Sequence, residues 1–232
     1  MNKVFRLIGA GSAALLISAA AFNFAAQAGE EPRTIPAPAS DIAESGTATA
    51  IFAGGCFWGV QGVFEHVKGV VKATSGYAGG PADKASYWTV GTGKTGHAEA
   101  VQIVYDPSKI SYGQLMQIFF SVVHNPTELN YQGPDHGSQY RSAIFATSVA
   151  QTAAAKAYIA QLSASGVYGG ALVTKVEVGR SFYPAEAQHQ DYLVLHPDAG
   201  YIVANDLPKV AAMKALFPAL YAAKPVLVNA TQ

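Results

Sequence analysis

One cysteine among 232 residues excludes an intrachain disulfide, a cysteine-rich zinc site and a Cys-x-x-Cys redox pair. Charge is scarce too: Asp, Glu, Lys and Arg make up 13% of the chain, about half the usual share. The 15 acidic side chains balance the 15 basic ones, so no basic footprint is offered to a nucleic-acid backbone. No internal repeat is found. What the chain does have is apolar residues, half of the total, which excludes a disordered or polyelectrolyte chain. The length suits one domain of ordinary size with appendages.

Part of that apolar total belongs to a targeting segment. Lys3 and Arg6 precede an almost uncharged run from Leu7 to Phe22, and Ala26-Gln27-Ala28 places small residues around one position, as a signal peptidase requires. Residues 1–28 therefore read as a secretory signal peptide, cleaved after Ala28, and the protein is expected to be exported to the periplasm. An uncleaved membrane anchor is the alternative, which the short Ala/Gly-rich core disfavours. A lipid anchor fails because the cysteine lies far downstream. No stable membrane anchor is expected after cleavage, and nothing points beyond a monomer.

Residues 29–47, with Pro32, Pro36 and Pro38, read as a flexible linker. The domain then runs over 48–220, with 221–232 as a C-terminal tail. Short strands are expected at Ala48–Ala53, Val70–Tyr77, His97–Tyr105, Tyr140–Ala146 and Leu172–Val178. Helical spacing starts at Cys56, with Phe57, Val60, Phe64 and Val67 on one face. Ser111 with Gln114, and Ser148 with Gln151, are capping-box patterns that open two further helices. Pro184–Leu195 could form a short helix, and Pro208 opens a last one. The mixture of local crossings and directly joined strands favours an α+β fold, a mixed β-sheet with helices packed on it.

Two patterns mislead. Gly91, Gly93 and Gly96 satisfy G-x-G-x-x-G, but a strand follows them where dinucleotide binding needs a helix. Glu186 and His189 stand three apart, as in di-iron bundles, yet no second pair exists. No metal or cofactor is expected.

Cys56 follows Gly54-Gly55 at a strand-to-helix junction. A lone cysteine is often a small buried hydrophobe. At a helix mouth, however, free backbone N–H groups and the positive dipole end favour a thiolate and are expected to lower its pKa. Phe57 and Trp58 put two large aromatics beside the sulfur. Glu99 shares a strand face with Val101, Ile103 and Tyr105, where desolvation raises a carboxyl pKa and suits a proton donor. A water-facing glutamate, or one paired with Arg141, is the alternative. The run 133–142 presents Asp135 and Tyr140 ahead of a strand, either as site groups or as an ordinary turn.

Gly55-Cys56-Phe57-Trp58-Gly59, Gly76-Tyr77-Ala78-Gly79-Gly80, Thr95-Gly96-His97-Ala98-Glu99-Ala100-Val101 and Asp135-His136-Gly137-Ser138-Gln139-Tyr140-Arg141-Ser142 follow one another in the chain. In this order they resemble the A-type peptide methionine sulfoxide reductases. The resemblance extends from about Ala50 through His189-Gln190-Asp191-Tyr192 to Leu220. It implies a two-layer sandwich with a ferredoxin-like core and elaborations. It also implies that Cys56 attacks the sulfoxide sulfur, Glu99 protonates its oxygen, and Tyr87 and Tyr140 bind that oxygen. Asp135 then supports the site, and Phe57 and Trp58 receive the S-methyl group. The implied reaction takes the S epimer, free or in proteins, through a Cys56 sulfenic acid. Many relatives carry resolving cysteines near the C-terminus, and Tyr201–Gln232 has none. Reduction is therefore expected from an external thiol: a thioredoxin-like protein, a glutaredoxin system or a small thiol. A thiol peroxidase and a non-catalytic module that binds oxidised methionine are the competing readings.

Overall fold

Alternating apolar side chains build a sheet whose central strand carries Glu99. The computed structural model describes residues 31–228. The signal peptide expected over 1–28, its cleavage site and the end of the tail lie outside the described residues.

The elements are β1 (Ala48–Ala53), α1 (Phe57–Glu65), β2 (Val70–Ala78), α2 (Tyr87–Val90), β3 (Ala98–Tyr105), α3 (Tyr112–Ile118), β4 (Tyr131–Gln132) and β5 (Asp135–His136). There follow β6 (Ala143–Ala146), α4 (Val149–Ser165), β7 (Lys175–Val178), β8 (Phe182–Pro184), α5 (Tyr192–Leu195) and α6 (Leu207–Leu216). Six strands form one sheet in the order β7-β6-β1-β3-β2-β8. Its neighbours run antiparallel except β6 and β7, whose parallel pairing needs a crossover, supplied by α4. This is the α+β, two-layer arrangement with a mixed sheet.

Period-2 alternation separates two faces. Ala50 and Phe52 of β1 and Val101, Ile103 and Tyr105 of β3 enter the main core under the helices. Ile51, Ala53, Ala98 and Ala100 form a smaller cluster on the opposite face with Phe145. Glu99 therefore lies on the helix-covered face, paired in register with Tyr77 of β2.

Both expected helix starts exist. Ser111 Oγ accepts from Gln114 N at 3.2 Å while Ser111 N donates to Gln114 Oε1 at 3.0 Å, a complete capping box. At α4 only half of it forms. Ser148 Oγ accepts from Gln151 N at 3.0 Å, but the Gln151 amide turns to Thr147 N and Thr49 O instead. The helix expected over Pro184–Leu195 is broken into a turn of 3-10 helix at Ala187–His189 and α5, because Asp191 takes φ 56°. That conformation is held by Asp191 N donating to Gln61 Oε1 at 3.0 Å.

The segment read as a flexible linker is strapped to the domain from residue 31 onward. Ile35 enters the core, Tyr158 donates to Pro36 O at 2.7 Å, and Gly113 N donates to Asp41 Oδ1 at 2.9 Å. The segment that its prolines marked as a linker instead lies along α3 and α4, where Gln117, Tyr158 and Gln161 donate to the backbone oxygens of Ile35, Pro36 and Ala37. The tail is also fixed as far as Val228: Ala222 N donates to His66 O at 2.7 Å and Val228 N to Asp191 Oδ1 at 2.8 Å. Among the described residues no helix is long and apolar enough to cross a membrane.

Candidate active site

β1 delivers the chain to the mouth of α1, and Gly55 makes the corner at φ +92°, a conformation that L side chains adopt with strain. Cys56 is the residue that caps α1, at φ −55° and ψ 124°, and its side chain is 9% exposed. The expected lowering of its pKa does not hold. Burial pushes the thiol well above its ordinary value, and Glu99 and Asp206 push it further, against the Trp58 amide that favours the thiolate.

Glu99 stands beside it. Its Oε2 accepts from Phe57 N at 3.0 Å, so the first amide of α1 joins the carboxyl group to the residue next to the sulfur. The side chain is 3% exposed, which removes the water-facing alternative. Arg141 does not pair with it either: that guanidinium meets Glu177 Oε1 at 3.0 Å. Desolvation raises the Glu99 pKa to about 8, with the Phe57 amide opposing. At neutral pH the carboxyl group keeps its proton, as the strand alternation implied.

Tyr87 and Tyr140 line one cleft with Glu99, of about 310 Å³, together with Trp88, Gly91 and Thr92. Burial and the neighbouring Glu99 raise both phenol pKa values, so both hydroxyls remain donors. Cys56 and Asp135 line a second cavity, of about 240 Å³, with Pro134, Tyr201, Pro208 and Lys209. Asp135, on β5, accepts a short hydrogen bond from the Tyr201 hydroxyl. Its pKa is raised by burial, against the opposing effects of Tyr201 and Lys209.

Phe57 is fully buried, its ring centroid 5.8 Å from Tyr77 and 5.7 Å from His189. Trp58 is half-buried and stacks on Tyr192 at 3.9 Å, with Tyr201 edge-on at 5.9 Å. The Trp58 Nε1–H has no hydrogen-bond partner among the described residues. Five of the seven residues singled out in the sequence thus line two cavities, Glu99, Tyr87 and Tyr140 one and Cys56 and Asp135 the other. The Phe57 amide on Glu99 links them, and Phe57 and Trp58 pack among Tyr77, Tyr87, His189, Tyr192 and Tyr201. The arrangement offers a thiol, a protonated acid, neutral donors and an apolar wall, the set needed to take oxygen from a weakly basic sulfoxide.

Several groups in that region were missed. Tyr192 and Tyr201 complete the aromatic wall. His189 stacks on Tyr87 at 4.1 Å, and Glu186 accepts from Tyr87 N at 2.9 Å and from the Tyr77 hydroxyl at 2.8 Å. The pair read as an incomplete di-iron pattern therefore seats α2. Asp206 is fully buried 3.7 Å from Lys209 Nζ, and a Cβ on Gly59 would collide with its carboxylate. Nothing periodic marks Asp206 or Tyr201, since both sit in a π-helical turn, Ile202–Asp206, or just before it. The glycines at 91, 93 and 96 turn the chain from α2 into β3, with positive φ at Gly93 and Gly96, and no helix follows them.

Comparison with known proteins agrees with this geometry. The family model described as peptide methionine sulfoxide reductase matches residues 48–219. The peptide methionine sulfoxide reductase MsrA 2 of Mesorhizobium japonicum is 64% identical over 186 residues, 80% of this chain and 95% of that protein. That of Synechocystis is 49% identical over 183 residues, 77% of this chain and 86% of its own length. Among solved structures, reduced Mxr1 from Saccharomyces cerevisiae is similar with a TM-score of 0.59 and 34% identity, covering 66% of this chain and 87% of its own. Methionine sulfoxide reductase A of Corynebacterium diphtheriae gives 0.57 and 34%, over 66% of this chain and 77% of its own.

Proposed function

The chain belongs to the peptide methionine sulfoxide reductase family, and on that premise we propose that it reduces the S epimer of methionine sulfoxide, free or in proteins, through a Cys56 sulfenic acid. The observation that carries this reading is the bond from the Phe57 amide to Glu99. It ties a protonated acid to the helix turn that holds the only thiol.

In the proposed step the sulfoxide oxygen takes hydrogen bonds from Tyr87 and Tyr140 and a proton from Glu99, while Cys56 Sγ bonds to the substrate sulfur. Protonation matters because sulfoxide oxygen is a poor leaving group without it. Oxygen then passes to Cys56 with the proton that Glu99 gave it, methionine departs, and the thiol's own proton restores the Glu99 carboxyl group. One sulfoxide and one thiol give one thioether and one sulfenic acid, with no other reactant. Phe57 and Trp58 receive the S-methyl group, and Asp135 holds the opposite side of the site. With the methyl group on the wall, the oxygen at its donors and Cys56 Sγ approaching the sulfur from a third side, the methionine chain keeps one exit, so one configuration at sulfur fits.

The 232 residues hold no second thiol, so the sulfenic acid is reduced from outside. One external thiol forms a mixed disulfide with loss of water, and a second releases Cys56. A thioredoxin-like protein, a glutaredoxin system or a small thiol could serve. With the signal sequence read at 1–28, the role is repair of oxidised exported proteins in the periplasm.

Single-turnover incubation of reduced protein with each epimer tests the reaction. About one methionine per Cys56 is expected from the S epimer and none from the R epimer. Methionine formed by a Cys56→Ser protein would sink the mechanism. Retained binding without methionine would favour a binding module, and consumption of peroxide alone a peroxidase.

A further inference from the structure

The two tryptophans are used in opposite ways. Trp58 is packed into the aromatic wall, whereas Trp88 is 85% exposed. An indole left in water forgoes the burial of one of the largest apolar side chains, and an exposed large apolar group is the informative exception on a surface. Trp88 is not on a loose loop. Its helix α2 is pinned by the buried Val90 on one side of it and by the Tyr87 amide, bound to Glu186, on the other. Its ring meets Tyr87 edge-on at 5.7 Å.

Trp88 forms the outer wall of the cleft that has Glu99 at its floor and Tyr87 and Tyr140 on its sides, while Gly91 and Thr92 leave that wall uncharged. A residue bonded to methionine sulfoxide in a polypeptide has its Cα about 3.8 Å from that of the oxidised residue. With the sulfoxide at Glu99, the side chain of a residue next to it lies within reach of this wall.

We propose that Trp88 is a specificity-determining residue that docks an apolar or aromatic side chain next to methionine sulfoxide in an unfolded polypeptide segment. The inference rests on the reductase reading and names its substrate class: methionines oxidised within apolar sequence, the kind exposed when a core opens. The occupant follows from continuity with the reaction cleft and from the uncharged wall.

The test compares kcat/KM on two blocked peptides, methionine sulfoxide flanked by Phe and Leu or by Gly and Ser, and on N-acetyl methionine sulfoxide. Wild type is expected to prefer the apolar peptide about tenfold. Trp88→Ala should reduce that ratio to near one through KM, and Trp88→Phe should keep most of it. A thermal unfolding curve matching wild type shows that each variant is folded, which the exposure of position 88 favours. Equal use of the two peptides by wild type, or a ratio kept in Trp88→Ala, overturns the inference and leaves the reductase reading intact. No methionine from any of the three substrates overturns the reductase reading, and the inference with it.

Discussion

Replacement of Glu99 by Gln probes the proposed chemistry most directly, because it removes one proton and little else. Gln is isosteric, its carbonyl oxygen can still accept from Phe57 N, now 3.0 Å from Oε2, and a neutral amide tolerates the burial that disfavours a carboxylate. Substrate affinity should stay within about a factor of three, while the single-turnover rate falls by about 10² to 10⁴, the usual contribution of a general acid. In free energy that is roughly 3–5 kcal/mol of transition-state stabilisation. The pH profile sharpens the test. Glu99 titrates at about 8 and the thiol well above its ordinary value, so below pH 8 the pair holds two protons. The reactive form holds both, since the carboxyl proton passes to the sulfoxide oxygen and the thiol proton to the carboxylate, and the pair as a whole sheds its first proton near 8. The wild-type rate should therefore stay level up to about 8 and fall about tenfold per pH unit above it. In Glu99→Gln that fall should vanish, and the residual rate should climb toward the thiol's own pKa. Rapid-quench measurement of methionine per Cys56 from pH 6 to about 10 reads both quantities. A variant within about threefold of wild type, or one that keeps the break near 8, would refute Glu99 as the acid.

Two further outcomes test the frame around the site. Burial, with Asp191 beside it, raises the Glu65 pKa to about 9. Its stabilising contribution is complete below the unfolded value near 4.3 and is lost as pH rises toward 9, by up to roughly 1.4 kcal/mol per pH unit. Glu65→Gln should therefore gain on wild type in urea unfolding as pH rises from 5 to about 9, and a pH-independent difference would contradict this. Ile35 is 4% exposed in the strap before β1, and Ile35→Ala should cost about 2–4 kcal/mol. A loss below about 0.5 kcal/mol would mean that residues 31–47 are a linker after all.

What the sequence made legible was local. Phe52, Val101 and Ile103 are core because period-2 alternation put them on one face with Glu99, and Ser111 with Gln114 closed the expected box. Cys56 was found through two glycines and a helix start, all within a few residues. What stayed hidden depends on distant pairing. The place of Ile35 is set by α3 and α4, which a count of prolines does not reveal. Tyr201 meets Asp135 across 66 positions of sequence, and Asp206 fits only because Gly59 has no side chain. His189 and Glu186 were visible as a pair and set aside as an incomplete metal pattern, since spacing alone does not say that the ring will stack on Tyr87.

The Cys56 thiol shows the same division and decides how the proposed cycle begins. Its place at a helix N-terminus was legible and argues for a thiolate, but that effect is worth at most about 2 kcal/mol even when partly buried, about one and a half pKa units. Full burial moves a pKa by as much as 3–5 units, and here it acts with Glu99 and Asp206 in the same direction. Burial wins, so the resting site holds a thiol and a carboxylic acid, both neutral. A neutral thiol is a poor nucleophile toward stray oxidants, because the thiolate is the reactive form. A sulfoxide bound at Tyr87, Tyr140 and Glu99 changes that balance: its oxygen accepts the Glu99 proton as charge develops, and the thiol proton can then return to the carboxylate. The proposed nucleophile is thus activated by its substrate rather than by its helix. Alkylation of Cys56 at pH 7 should therefore be slow in the free protein and faster with a bound sulfoxide analogue that leaves the sulfur reachable; equal rates would refute activation by substrate.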